Sequence, residues 1–333
     1  MKIIRVSCHM IKKYEPSFIL KNKHIQTLYS ALFRKLKPLE MEIERYTLED
    51  GDFVECYWHN KPLENSNTPI VILFHGLAGS YKSPYIQGLM SELAKNGFAS
   101  VVMHFRGCSG LENNLPRSYH SGETADAISW IKRVSSRYPH SKLFAVGYSL
   151  GGNMLLKLLG ELEENSNLDA TVSVSAPMQL DICADRMNVG FSKFYQHILL
   201  KDLNHSLEKK YLKHPMNEHI DLKKKDIRKL TTFWKFDGAY TAPVHGFDSA
   251  QDYYTKCSSK QFLKSIKTPT LVIHSLDDPF MTPEILPKIN EVPSNVILEI
   301  YPHGGHVGFI NGSLFQPDYW LEKRVSYYFK SFL

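Results

Sequence analysis

The 333-residue chain has few of the features that mark a secreted, membrane-spanning or metal-built protein. Its five cysteines, Cys8, Cys56, Cys108, Cys183 and Cys257, are odd in number, widely spaced and without a C-x-x-C pair. That pattern argues against a disulfide framework and against a zinc site, and makes a reducing cytoplasm the expected compartment. No stretch approaches eighteen uninterrupted apolar residues, so no membrane span is expected. The opening MKIIRVSCHMIKKYEPSFIL scatters basic residues among apolar ones and lacks the continuous apolar core of a signal peptide. There is no H-E-x-x-H, no internal repeat and no low-complexity tract. Neither a cofactor nor a metal is expected.

What remains is an ordinary globular composition, with 43% hydrophobic residues and enough length for one large α/β domain over residues 1–333. The net charge of +6 is unevenly placed, for Lys201 to Leu230 carry nine basic side chains against five acidic ones. This stretch reads as a solvated helical face, with peripheral lipid contact left open. Nucleic acid is not an expected partner, because no stacking aromatics interleave the basic core.

Short runs rich in Val, Ile and Phe read as strands buried on both faces: 70–74, 99–103, 143–146, 170–174 and 271–273. Between the first two, Ser83 as N-cap, Pro84 at the first position and Gly97 as stop delimit a helix. Residues 125–134 and 153–162 repeat the helical pattern, and Ser121 or Thr124 is a candidate cap for the former. Alternating strands and helices predict a mostly parallel, doubly wound sheet. Ahead of it, 41–47 and 52–58 read as an antiparallel hairpin joined through Glu49-Asp50-Gly51. The alternation lapses over 181–265, which reads as a helical cap over the C-terminal edge of the sheet. A final helix is expected to start at Pro317, with Leu321, Val325, Tyr328 and Phe332 at helical spacing.

Three strand ends carry chemistry. Gly147-Tyr148-Ser149-Leu150-Gly151 lies between a strand and a helix, a junction that holds a serine hydroxyl out on a tight turn. A serine alcohol needs a histidine to take its proton and an acid to orient that histidine. The strand at 271–273 runs into Asp277 and Asp278, of which only one can face a histidine. The strand at 296–300 opens into His303-Gly304-Gly305-His306-Val307-Gly308. The glycines there favour His306 as the residue that reaches Ser149, leaving His303 to order the loop. His75-Gly76-Leu77-Ala78-Gly79 follows another strand, and the amides of Leu77 and Leu150 form the candidate oxyanion pair. Arg106 reads as a partner in an internal ion pair, and His120, Ser121 and Glu123 as structural.

These residues resemble the α/β-hydrolase superfamily and, within it, the YheT-type group of bacterial esterases. The likeness runs from Asn22-Lys23-His24-Ile25-Gln26-Thr27 through His75-Gly76-Leu77, 103–110, 120–124 and 147–153 to 303–309, and includes the spacing from Asp237 to Asp278. It implies the α/β-hydrolase fold, with Ser149 as nucleophile, Asp278 as orienting acid and His306 as general base. Eukaryotic relatives act on acylglycerols and phospholipids and carry an N-terminal membrane anchor, which is not read here. The expected activity is serine-dependent cleavage of small carboxylic esters, acylglycerol or short- to medium-chain, through an acyl-enzyme. Acyl transfer on the same triad, or a non-catalytic binding protein on the same fold, is the alternative. Phe191, Phe194, Tyr195, Phe233 and Trp234 are candidates for an apolar acyl site under the cap.

Overall fold

The computed structural model describes residues 13–333, so Cys8 and residues 1–12 of the opening lie outside the described residues. Eight strands form one sheet: β1 (Glu42–Thr47), β2 (Phe53–His59), β3 (Ile70–Phe74), β4 (Ala99–Met103), β5 (Leu143–Tyr148), β6 (Ala170–Val174), β7 (Thr270–Ser275) and β8 (Val296–Tyr301). Their order is β1-β2-β4-β3-β5-β6-β7-β8. The β1–β2 hairpin is antiparallel and β2 joins β4 antiparallel, while β4 through β8 run parallel. The four cysteines among the described residues are free.

Residues of β3, β4 and β6 are buried throughout because helices cover both faces of the sheet. In chain order the helices flanking the first strands are α1 (Lys23–Phe33), α2 (Pro84–Lys95), α3 (Ala125–Arg137) and α4 (Leu150–Leu162). Ile70, Ile72 and Val101 pack with Trp130 of α3 and Met154 of α4. Their strand neighbours Val71, Leu73 and Val102 point the other way, onto Ile86 and Leu89 of α2. Strand periodicity of two thus distributes one sheet between two cores.

Ser83 and Thr124 stand at the expected N-caps of α2 and α3, but neither side chain makes a cap, and the last helix starts later than expected. Ser83 is the N-cap of α2 without a side-chain cap; its Oγ accepts from Ser80 N at 3.1 Å, and Pro84 sets the first turn. Thr124 stands at the N-cap of α3, yet its hydroxyl donates to Glu161 Oε2 at 2.7 Å and caps nothing. Pro317 does not begin the last helix.

Between β6 and β7 the chain forms α5 (Leu180–Arg186), α6 (Ser192–Lys213), α7 (Phe233–Phe236), α8 (Ala242–Val244) and α9 (Ala250–Cys257). Leu200, Leu207, Met216, Ile227 and Phe236 make a small core of their own. From Ser259 the chain returns to the sheet: Leu263 and Ile266 join the main core, and Phe262 packs against Gly160 of α4. After β8, the short strands β9 (Ile310–Gly312) and β10 (Pro317–Tyr319) pair antiparallel, and α10 (Trp320–Lys330) follows. Proline, having no N–H, is tolerated at the first position of such a short strand.

The basic stretch of the cap is not wholly solvated. Lys210 is 2% exposed; its ammonium donates to Asn113 Oδ1 and, at 2.8 Å, to Leu115 O. Burial pushes its pKa down to about 8. Asn113 Nδ2 donates in turn to Asp52 Oδ2 at 2.6 Å. Asp52 shares Arg106 with Asp50 and Asp126, at 3.2, 2.7 and 2.7 Å, so Arg106 is an internal ion-pair residue as expected. The long cap helix is therefore fastened to the β1–β2 turn through buried charge. Lys210→Met leaves the buried Asn113 Oδ1 without a donor, Leu115 O keeping Asn113 Nδ2 at 3.2 Å, and is expected to cost about 1–3 kcal/mol in urea unfolding, against under about 0.5 kcal/mol for Lys201→Ala.

Candidate active site

β5 ends at Tyr148 and α4 begins at Leu150, three residues earlier than its apolar pattern suggests, so Ser149 alone makes the turn. Its backbone sits at φ 51° and ψ −118°, a conformation held by Ser149 N donating to Val174 O at 2.8 Å and Asn153 N donating to Ser149 O at 3.0 Å. The flanking glycines are required by contact. A Cβ on Gly147 would lie 2.3 Å from Gly151 O, and one on Gly151 would lie 2.5 Å from Phe74 O.

His306 Nε2 lies 2.9 Å from Ser149 Oγ, and His306 Nδ1 lies 2.8 Å from Asp278 Oδ2. Both partners of this pair are buried, and Phe280 N donates to the other Asp278 oxygen at 2.8 Å. Asp277 serves a different histidine: its carboxylate faces His303 Nδ1 at 3.3 Å and accepts from Gly305 N at 3.0 Å. The structure brings Ser149, Asp278 and His306 together and leaves Asp277 and His303 to brace the loop.

A component without an assigned role in the sequence holds that loop. Thr27 Oγ1 of α1 accepts from His306 N at 2.9 Å. The buried Gln26 carboxamide accepts from Ile310 N at 2.8 Å and donates to Leu20 O at 2.7 Å and Ile310 O at 3.0 Å. Gly305 and Gly308 allow the approach, since a Cβ at either would lie 2.5 Å from an α1 carbonyl oxygen. Asn22 caps α1 through its side chain, accepting from the His24 and Ile25 amides. The Asn22 to Thr27 motif carried the signal, but no local pattern says which distant loop it grips. Phe280 is a second such residue: its ring stacks on His306 at 4.0 Å and 11°, and on its other side meets Tyr195 of α6 at 5.0 Å.

The turn after β3 lies against the serine, for a Cβ on Gly76 would be 3.2 Å from Ser149 Cβ. Gly76 N donates to Tyr85 Oη at 2.9 Å and Ala78 N to Tyr119 Oη at 3.0 Å. The Leu77 amide between them has no acceptor among the described residues, and Leu150 N belongs to the first turn of α4, where amides lack intrahelical partners. Two buried histidines secure this turn. His75 Nδ1 donates to Gly76 O at 2.7 Å and its Nε2 accepts from Phe105 N at 3.1 Å. His104 bridges Glu55 O and Tyr81 N in the same way, at 2.7 and 3.0 Å.

Above Ser149 and His306 lies a cavity of about 740 Å³, with Leu77, Leu150, Leu180, Met187, Tyr195 and Phe236 among its walls. Phe233 also lines it. Phe191, at the N-cap of α6, and Phe194 of α6 stand half-exposed outside it, and Trp234 packs on Tyr254 instead, with its Nε1 donating to Asp185 at 2.7 Å. Asp237 is a polar point in the wall, accepting from Thr241 Oγ1 and Tyr254 Oη at 2.6 Å each; burial pushes its carboxyl up to about 6 against those hydrogen bonds.

His120, Glu123 and His245 place ligand-type atoms within 4.8 Å of one another. Gly122 N donates to His120 Nδ1 at 3.2 Å, so the ring carries its proton on Nε2, which faces Glu123 Oε2 at 3.6 Å. Burial holds His120 neutral, and Glu123 is also paired with Arg117 at 3.1 Å. A metal on Nε2 would require the proton on Nδ1 and break the Gly122 bond. Ser121 accepts from Asn153 Nδ2, which also donates to Cys257 O at 2.9 Å and so roots the cap on α4.

The sheet order, the serine turn and the Ser-Asp-His sequence after β5, β7 and β8 define one class of protein. The profile of the alpha/beta hydrolase fold matches residues 69–313, and the chain belongs to that family. It is similar to the Escherichia coli K12 protein named "Putative esterase YheT", 42% identical over 94% of this chain and 91% of that one. It is also 30% identical to the monoacylglycerol lipase of Saccharomyces cerevisiae, over 76% of this chain and 58% of that protein. Among solved structures, the Pyrococcus furiosus esterase Pf2001 matches with a TM-score of 0.58 at 18% identity, covering 91% of this chain and 95% of its own, and so shares the fold. No helix of the described residues is long and apolar enough to cross a membrane.

Burial lowers the pKa of His75 to about 3, with a contribution from His104, and those of His104 and His274 to about 4, from an ordinary value of 6.5. The folded state therefore keeps these rings neutral where the unfolded chain has protonated them, and stability falls as pH drops from about 6.5 toward about 4. Thermal melting followed by circular dichroism across that window should show the decline, and His104→Gln should make it shallower.

Proposed function

We propose that this protein is a serine hydrolase of carboxylic esters that works through an acyl-enzyme on Ser149, His306 and Asp278. The observation that carries the reading is the unbroken line of hydrogen-bond contacts from Ser149 Oγ through the imidazole to Asp278, at the floor of a largely apolar cavity. The Ser149 hydroxyl donates to His306 Nε2 while Nδ1–H donates to Asp278, which fixes the tautomer needed for proton uptake. Oγ attacks the ester carbonyl, its proton passes to Nε2, and the new oxyanion accepts from the Leu77 and Leu150 amides. Collapse of the tetrahedral intermediate expels the alkoxide, which takes the proton from Nε2. Water then enters, gives a proton to His306, attacks the acyl group and releases the acid with Ser149 restored.

The apolar walls support an acylglycerol or a short- to medium-chain acyl ester as substrate, consistent with the names of the esterase and lipase relatives. The test is labelling by a fluorophosphonate probe beside a Ser149→Ala control; labelling that persists in the control overturns the nucleophile assignment. Hydrolysis of aryl esters should fall by about 10³-fold or more in Ser149→Ala and His306→Ala, and less in Asp278→Asn.

Thr27, which also lines the cavity, acts chiefly by positioning His306. Thr27→Val is expected to lower kcat about tenfold with little change in KM, while Thr27→Ser retains most of the rate, measured by steady-state kinetics on a soluble ester.

A further inference from the structure

We infer that the outer face of α1, with the start of α6, docks on an anionic lipid surface at the mouth of the cavity. Leu28, Ala31 and Leu32 of α1 and Ile198 and Leu199 of α6 line the cavity from its two sides. Around that rim the chain displays side chains that folding ordinarily hides. Phe18 is 88% exposed, Phe33 67% and Phe315 95%. They belong to one region: Pro16, two residues before Phe18, bridges Gly312, three before Phe315; Phe33 lies 5.5 Å from Tyr29, whose hydroxyl donates to Leu314 O; and His24 of the same helix meets Phe191, at the N-cap of α6, at 4.5 Å. Such patches on a soluble fold mark an interaction surface.

Charge identifies the occupant. Residues 13–37 contain six basic side chains, Lys13, Lys21, Lys23, Arg34, Lys35 and Lys37, and one acid, Glu15. Lys13 is paired with Glu15 and Arg34 with Glu322. Lys21, Lys23, Lys35 and Lys37 form no ion pair among the described residues. Two copies of this face brought together would oppose lysine to lysine, whereas a layer of anionic headgroups neutralises them while the phenylalanines enter the acyl boundary. Lipid docking is independent of the catalytic reading; that the cavity draws its ester from the docked surface rests on it.

The test uses the full chain carrying Ser149→Ala, so that binding is measured without turnover. It should sediment with vesicles of phosphatidylcholine mixed with phosphatidylglycerol, more weakly with phosphatidylcholine alone, and less at high salt. Lys35→Glu with Lys37→Glu, and separately Phe18→Ser with Phe33→Ser, should each weaken binding by about tenfold or more. In the Ser149 background the same substitutions should leave hydrolysis of a soluble short ester unchanged. Absence of sedimentation by the parent, or equal sedimentation by the variants, overturns the inference, as does a dimer in sedimentation velocity that the Phe18→Ser with Phe33→Ser pair dissolves. Absence of ester hydrolysis by the Ser149 parent, with vesicle binding intact, would overturn the serine-hydrolase reading alone.

Discussion

The rest of the molecule is arranged around a single strained residue. Ser149 holds a positive φ that costs a non-glycine residue about 1–3 kcal/mol, and it does so because every neighbour leaves it no alternative. β5 passes into α4 with no linker, Gly147 and Gly151 admit backbone where a methyl group would collide, and Val174 takes the serine amide. A turn that tight requires β5 to be central, flanked by β3 and β6, with both faces buried. The same parallel order then delivers the ends of β3, β7 and β8 to one edge, which is where the remaining side chains of the site originate.

The histidine side of the site rests on different physics. His306 lies on a loop in which Val307 and Phe309 also hold positive φ, so local sequence preference does not fix it. Its position comes from outside: a threonine hydroxyl and a glutamine carboxamide on α1, a serine hydroxyl at the end of β6 that accepts from Val307 N, and the face of Phe280. Phe280 lies between His306 and Tyr195, whose hydroxyl meets His24 Nδ1 at 3.0 Å. One chain of ring contacts thus joins the cap, the Asp278 loop, the imidazole and α1. Displacing the cap helix would be felt at His306 through ring contact, without any bond to the serine being touched.

How much of this was readable in the sequence depended on whether the signal was local. The strands at 70–74 and 99–103, the hairpin and the Pro84 helix start are written in periodicity and turn residues, and they stand where those patterns put them. The proximity of Ser149, Asp278 and His306 followed from strand order, which alternation of elements supplies. Lys210 was opaque, because a lysine in a charged helix looks solvated until the fold brings the 113–115 loop over it. Pro317 was opaque for a related reason: its pairing with Gly312 is a tertiary fact, and helical spacing further on suggested an earlier start. Thr27 and Gln26 were visible as a motif but silent as to purpose, since their partners lie nearly three hundred residues away.

That separation has a consequence for the order in which the chain acquires competence. α1 precedes the His306 loop, the contact between them spanning 279 residues, and the clamp closes only when the intervening sheet has formed. Until then the serine turn can form without the imidazole beside it. Contacts between segments so far apart tie the alignment of His306 with Ser149 to the completed fold, and local opening of α1 or of the His306 loop would undo it.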